Sequence, residues 1–93
     1  MLNFTWDPVK NLTNQRKHGV SFEEAQTVFL DETATIYKDI DHSDNEDRYI
    51  LLGLSLTAKV LVVVHCYRKN DSEIRIISAR SATKNEIKTY LGE

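Results

Sequence analysis

Arginines recur within segments whose composition is typical of β-strands. Arg48, Arg68, Arg75 and Arg80 begin, end or interrupt three runs that are rich in Ile, Leu and Val. A guanidinium group stays charged and can bind a phosphate through two parallel hydrogen bonds. One arginine at a strand end can simply direct its charged head to solvent. Four of them on neighbouring strands favour an anion-binding face.

The run from Ile74 to Arg80 carries two of these arginines. Successive side chains of a regular strand point to opposite faces of the sheet. Arg75 and Arg80 are separated by an odd number of positions, so we expect them on opposite faces. Either the end of this strand bends around a phosphate, or only one of the two arginines is catalytic and the other braces the fold or a partner. Arg80, which lies at the rim just before the last predicted helix, is the better candidate for catalysis.

Aromatic side chains stand close to these arginines in the sequence. Tyr49 follows Arg48, while Tyr67 and His65 precede Arg68. Aromatic rings among cations suit the unstacked bases of single-stranded RNA. Arg68, Tyr49 and Tyr67 are therefore candidate substrate-binding residues. His65 could transfer a proton, although a neutral histidine in the core is at least as consistent with its apolar surroundings.

Other kinds of chemistry find less support. The segment from Asp39 lacks the glycine of a calcium loop and has Ile50 where a bidentate glutamate belongs, and the three histidines have no partner at zinc spacing. No metal or cofactor is expected. Cys66, the single cysteine, is predicted to be buried and inert, which fits a cytoplasmic protein. The N-terminus has no pattern typical of a signal peptide, and no apolar run is long enough to span a membrane.

The elements that must position these residues follow from periodicity and capping signals. The 93 residues predict one α+β domain, residues 1–93, with the order β-α-α-β-β-β-β-α. Short polar connections between the later strands favour an antiparallel sheet with helices packed on one face. The predicted strands are Asn3–Trp6, Ala34–Tyr37, Arg48–Leu54, Val60–Arg68 and Ile74–Arg80.

The helices have clear ends. Asp7 and Pro8 predict the start of the first helix and Gly19 its end. Two capping boxes, Ser21 with Glu24 and Thr83 with Glu86, predict the starts of the other two. The inward-facing stripes are expected to be Val9, Leu12 and Arg16 in the first helix, Phe22, Ala25, Val28 and Phe29 in the second, and Ile87, Tyr90 and Leu91 in the third.

Charge is distributed unevenly along the chain, although the net charge is only −2. Nine of the 14 acidic residues and one of the 12 basic residues lie between Ser21 and Asp47. The rest of the chain is correspondingly basic. Two solvated patches would explain this asymmetry, and so would a basic anion-binding surface beside an acidic partner-binding one.

Several blocks of the sequence, in order and at the right spacing, resemble the BrnT family of ribonuclease toxins from bacterial type II toxin–antitoxin systems. The blocks are Phe4 to Pro8 with Lys10 and Asn14; Arg16 to Ala25; Asp41 to Ser43 followed by Glu46 to Tyr49; Gly53 to Ser55; and Arg75 to Arg80 with Ala82, Glu86 and Tyr90 beyond. The resemblance covers nearly the whole chain.

The resemblance implies a RelE-like fold, metal-independent RNA cleavage, and neutralisation by a BrnA-like antitoxin that alone would contact DNA. By position it points to Lys17, Glu46, Arg48, Arg75 and Arg80. Glu46 would be the base that takes the 2′-hydroxyl proton, Lys17 or His65 the acid, and the arginines would hold the phosphate. Ser81 departs from the family pattern, in which a basic residue often follows the last arginine.

Two functions from different classes remain open. The first is an active ribonuclease toxin with RNA as its substrate. The second is an attenuated or inactive module that keeps the fold and the antitoxin-binding surface, which the acidic segment up to Asp47 favours. Direct DNA binding ranks below both, because no helix carries the basic stripe of a recognition helix.

Overall fold

The computed structural model describes residues 3–93 and confirms the α+β class and the order of the elements. The strands are β1 (Asn3–Thr5), β2 (Thr35–Lys38), β3 (Tyr49–Leu54), β4 (Val60–Arg68) and β5 (Glu73–Ser81). The helices are α1 (Pro8–His18), α2 (Phe22–Thr27) and α3 (Lys84–Leu91), with short 3-10 turns at Val28–Leu30 and Ile40–His42. In residues 3–93 no helix is long and apolar enough to cross a membrane.

The five strands form one sheet in the order β1-β5-β4-β3-β2. The strands from β2 to β5 pair antiparallel with their neighbours, as their short connections predict. The first strand adds a parallel edge, because β1 pairs with the beginning of β5. Thr5 strengthens this edge by donating a hydrogen bond of 3.0 Å from its hydroxyl to Glu73.

The predicted helix ends are largely confirmed. Asp7 caps α1 by accepting a hydrogen bond from a backbone N–H, and Gly19 ends this helix in the left-handed conformation with φ of 68°. Thr83 and Glu86 form the predicted capping box of α3. Ser21 caps α2 through the N–H of Glu24, but the Glu24 carboxylate accepts hydrogen bonds from Ser55 and Thr57 instead of completing a box.

The core lies between the sheet and the helices α1 and α2. Apolar residues of α2 and of the adjoining turns pack against the middle strands; the buried cluster is Val20, Phe22, Ala25, Val28, Leu51, Leu61, Val63, Ile76 and Ala79. The predicted apolar stripe of α2 is thus confirmed for its first three members, and Phe29 packs against the cluster while partly buried.

The predicted stripe of α1 is wrong. Val9 is 69% exposed and Leu12 is 55% exposed, whereas the buried positions of this helix are Asn11 and Asn14. Both amides bond to groups of the core side: Asn11 accepts from the N–H of Phe22, and Asn14 bonds to the backbone of β5. Leu91 of α3 is also exposed, although it was expected to face inward.

A β-bulge in β5 changes which side chains share a face. Val64 pairs with Ser78, but the next residue, His65, pairs with Ile76, so one residue of β5 is left over. A bulge of this kind reverses the alternation beyond it. Arg75 pairs with Cys66 and Arg80 with Val62, which are four positions apart on β4. The prediction that the two arginines lie on opposite faces is therefore wrong: they lie on the same face.

Candidate functional site

All four arginines occupy positions on the sheet face opposite the core cluster, which we call the arginine face. Arg68 and Arg75 lie on the same side of β4 and β5 as Arg80. Arg48 directly precedes β3. The first residue of β3, Tyr49, pairs with His65 of β4, so Arg48 lies beside Cys66, the next residue along β4. Because adjacent strands are about 4.8 Å apart, the Cα atoms of Arg48 and Arg75 are separated by roughly 10 Å across β4.

Arg80 joins the sheet to α3. Its guanidinium donates two hydrogen bonds to the two carboxylate oxygens of Glu86, at 2.8 and 3.0 Å. The bonds from Arg80, together with the helix cap at Thr83, lower the pKa of Glu86 to about 2. The same pair raises the pKa of Arg80. The Arg80 side chain remains 43% exposed, so part of its guanidinium is still accessible to an anion.

Arg68 and Glu46 form a second bidentate pair, with distances of 3.0 and 3.2 Å. Arg68 lowers the pKa of Glu46 and keeps this carboxylate ionised. Cys66 lies beside the pair, and burial, followed by the neighbouring Glu46, raises the pKa of its thiol. The prediction that Cys66 is buried is thus confirmed.

Arg48 and Arg75 differ from the other two arginines in their pairing. Within residues 3–93, neither has a carboxylate within 4.0 Å of its guanidinium nitrogens. Both side chains are half-buried. Their charges are therefore available to an anion that approaches this face.

Two depressions adjoin each other where the loop between β2 and β3 meets the arginine face. The larger, of about 380 Å³, is lined by Glu46 and Arg48 together with acidic loop residues. The smaller, of about 250 Å³, has a floor of strand residues including Ser78 and is bordered by Arg80. His42 lines both depressions and so forms their common wall.

The ring of His42 is held by Asp39. Its Nδ1 lies 3.1 and 3.2 Å from the two carboxylate oxygens of Asp39, whose side chain is only 14% exposed. Asp39 is itself tied to the start of β3, because its N–H donates to the carbonyl of Arg48 at 2.8 Å. This histidine had no predicted role. The available signals were its place in the Asp41–Ser43 block and an aspartate three residues before it.

Four of the predicted site residues are not brought to the arginine face. His65 is fully buried on the core side, with Nδ1 at 3.2 Å from the carbonyl of Val63 and Nε2 at 3.2 Å from the hydroxyl of Tyr67. Burial lowers the pKa of His65. Tyr49 and Tyr67 pack against the same ring, so they share its face. Lys17 is an exposed residue of α1, which packs on the core side of the sheet.

Metal-ligating side chains do not converge in the part of the chain that the structure describes: no group of three His, Cys, Asp or Glu residues could hold an ion there. The polar groups that do converge are guanidinium ions, the imidazole of His42 and several carboxylates, among them Asp39, Glu46 and Glu86. Such a set suits the binding of a phosphate and the transfer of protons.

The fold and this face define an α+β protein whose sheet surface presents two arginines, Arg48 and Arg75, without a carboxylate partner within 4.0 Å among residues 3–93. Residues 6–86 match the family model of the ribonuclease toxin BrnT of type II toxin–antitoxin systems, and the chain belongs to this family. It is also similar in fold to the crystal structure of the Brucella abortus ribonuclease toxin BrnT, with a TM-score of 0.68 and 21% identity over 90% of this chain and 100% of that one. No curated protein sequence is significantly similar to the chain.

Proposed function

We propose that this BrnT-family toxin is a metal-independent endoribonuclease whose arginine face binds the scissile phosphate. One observation carries the proposal: the bulge in β5 puts Arg75 and Arg80 on one face, and Arg80 borders a depression of about 250 Å³ on that face. Arg48 and Arg75, which have no carboxylate partner within 4.0 Å among residues 3–93, provide cations for a polyanion. Guanidinium groups stabilise the charge that develops on phosphorus oxygens.

The reaction would begin with the 2′-hydroxyl of the substrate, which attacks the adjacent phosphorus while its proton passes to a base. We assign this step to Glu46, which lines a depression together with Arg48 and is ionised. Its lowered pKa makes it a weak base. We therefore expect it to accelerate cleavage by about 100-fold, the lower end of the range for general bases. The bond from phosphorus to the 5′-oxygen then breaks, leaving a 2′,3′-cyclic phosphate and a 5′-hydroxyl.

The test compares two variants that break the same ion pair. Arg80→Ala removes the cation, while Glu86→Gln keeps it and removes only its partner. Both should lower the melting temperature by a similar, small amount, because the pair is partly exposed. Only Arg80→Ala should reduce cleavage, by about 100-fold or more, of a defined single-stranded RNA in EDTA. Wild-type activity of Arg80→Ala would remove Arg80 from the site, and inactivity of the wild type in EDTA would remove the metal-free mechanism.

A second candidate function is a module that binds the antitoxin without cleaving RNA. It is favoured by the two bidentate pairs, since Glu86 and Glu46 already neutralise half of the four arginines. Under this alternative, expression without a partner would not arrest growth, and purified protein would leave RNA intact. Restoration of cleavage in the Glu86→Gln variant alone would show that the pair suppresses activity.

The neutralising partner is proposed to be a BrnA-like antitoxin with a basic segment that contacts the acidic loop. The exposed carboxylates Asp41 and Asp44 of this loop have no cationic partner within 4.0 Å among residues 3–93. Reversal of both charges, D41K with D44K, should weaken antitoxin binding about 10-fold, with a smaller effect at high salt. The control, E32K with E93K, reverses two exposed carboxylates outside this loop. Unchanged binding of the loop variant would mean that the loop is only solvated.

A further inference from the structure

The arginine face lacks an obvious proton donor for the leaving group. Arginine remains protonated throughout and cannot serve. Lys17 and His65, the two acids expected from the sequence, belong to the other side of the sheet. Cys66 is buried, and burial raises its pKa. The donor must therefore come from the loop or from the remaining side chains of this face.

His42 has the position and the solvent exposure that a proton donor needs. It forms the wall between the depression that holds Glu46 and Arg48 and the one bordered by Arg80. Its side chain is 68% exposed, so a substrate can reach it. His18 lies at the end of α1, on the core side of the sheet. Among residues 3–93, His42 is thus the only histidine that lines both depressions.

The contact with Asp39 determines which ring nitrogen is available. A carboxylate accepts from Nδ1–H, and that bond leaves Nε2 as the nitrogen that can exchange a proton with a substrate. Asp39 is mostly buried and is anchored to the backbone of Arg48, so it can fix the orientation of the ring. This is the arrangement in which a carboxylate orients a catalytic imidazole.

We propose that His42, oriented by Asp39, is the general acid of this ribonuclease. As the bond from phosphorus to the 5′-oxygen breaks, the proton on Nε2 passes to that oxygen, so the product leaves as an alcohol and the imidazole becomes neutral. The base releases the proton from the 2′-hydroxyl to solvent, and the imidazole takes up a proton from solvent, so both groups return to their starting states. The assignment rests on the proposed function, because it requires RNA cleavage on the arginine face.

The experiment uses two RNA substrates that differ in one atom. In the second, sulfur replaces the 5′-bridging oxygen at the cleaved position; a thiolate leaves readily without being protonated. His42→Gln should reduce cleavage of the ordinary RNA at least 100-fold. With the 5′-sulfur substrate the loss should fall below about 10-fold, because the acid is no longer needed. An equal loss on both substrates would overturn the assignment, since it would mean that His42 only binds RNA or maintains the shape of the two depressions.

Asp39→Asn tests the positioning role. It keeps the backbone contacts of residue 39 and should reduce cleavage of ordinary RNA about 10-fold, again with little effect on the 5′-sulfur substrate. A loss of the same size on both substrates would assign Asp39 a purely structural role and leave the orientation of His42 without support.

Tyr37 is the competing proton donor, because it pairs with Ile50 on the arginine face and is partly exposed. Tyr37→Phe should retain activity on both substrates, as should the control His18→Gln. A loss specific to the ordinary RNA in Tyr37→Phe, with His42→Gln unaffected, would transfer the role to the tyrosine. Wild-type protein that leaves RNA uncut would overturn the proposed function itself, whereas a cutting wild type with an equally active His42→Gln overturns only this assignment.

Discussion

Asn14 provides the sharpest test of how α1 is attached to the sheet. Its side-chain amide donates to the carbonyls of Val20 and Ala79, at 2.8 and 2.7 Å, and its oxygen accepts from the N–H of Ala79 at 3.1 Å. Asn14→Ala would leave three buried backbone groups without partners. With about 1 kcal/mol for each hydrogen bond, we expect a loss of roughly 3 kcal/mol in the free energy of unfolding. For a domain of this size that corresponds to a decrease of about 15 °C in melting temperature.

The matched control is Leu12→Ala on the same helix. Leu12 is 55% exposed, so its truncation should cost about 0.5 kcal/mol or less. Asn14→Asp keeps the shape and one acceptor but loses both donors beside two carbonyls, and it should be at least as destabilising as Asn14→Ala. Urea unfolding followed by circular dichroism measures all three variants. If Leu12→Ala cost as much as Asn14→Ala, the helix would be held by its apolar stripe and this reasoning would be refuted.

Three further predictions concern the sheet and its charges. Gly53→Ala should lower the free energy of unfolding by about 1–3 kcal/mol, because an added Cβ would lie 2.8 Å from the Cβ of Ala34, which cannot rotate away. A melting temperature within 1 °C of wild type would contradict this expectation. The pKa of Glu86 is about 2, below its ordinary value of 4.5, so its ion pair stabilises the fold above pH 4.5 and is lost as the pH falls from 4.5 towards 2. Glu86→Gln should remove about 1 kcal/mol at neutral pH and flatten this part of the acid titration, whereas an unchanged slope would exclude the pair as its source. Arg75→Ala should weaken RNA binding and reduce its salt dependence by about one phosphate contact, while Lys17→Ala should change neither; the opposite result in a fluorescence-anisotropy titration would move the RNA to the other face.

Features that depend on neighbouring residues were predictable from the sequence. Asp7 and Gly19 delimit α1, and Thr83 begins α3, because capping needs only a side chain and a backbone group a few positions away. The antiparallel pairing of the later strands follows from connections too short for a crossover. The sequence also showed directly that arginines lie on those strands.

The assignment of side chains to faces was not predictable. The bulge at Ile77 results from the register between β4 and β5, and it alone brings Arg75 and Arg80 to one face. Hydropathy favoured Leu12 over Asn14 as a core residue, since no sequence pattern reveals backbone groups of β5 that need hydrogen bonds.

The sequence by itself determined the elements, their ends and the chemistry that they carry, together with the family to which the chain belongs. The tertiary structure decided which of those charges meet. Glu86 and Glu46 pair with arginines six and 22 positions away along the chain. His42 lines both depressions because Asp39 ties the loop to β3. Each of these contacts depends on where the chain folds back on itself, and local periodicity carries no information about that.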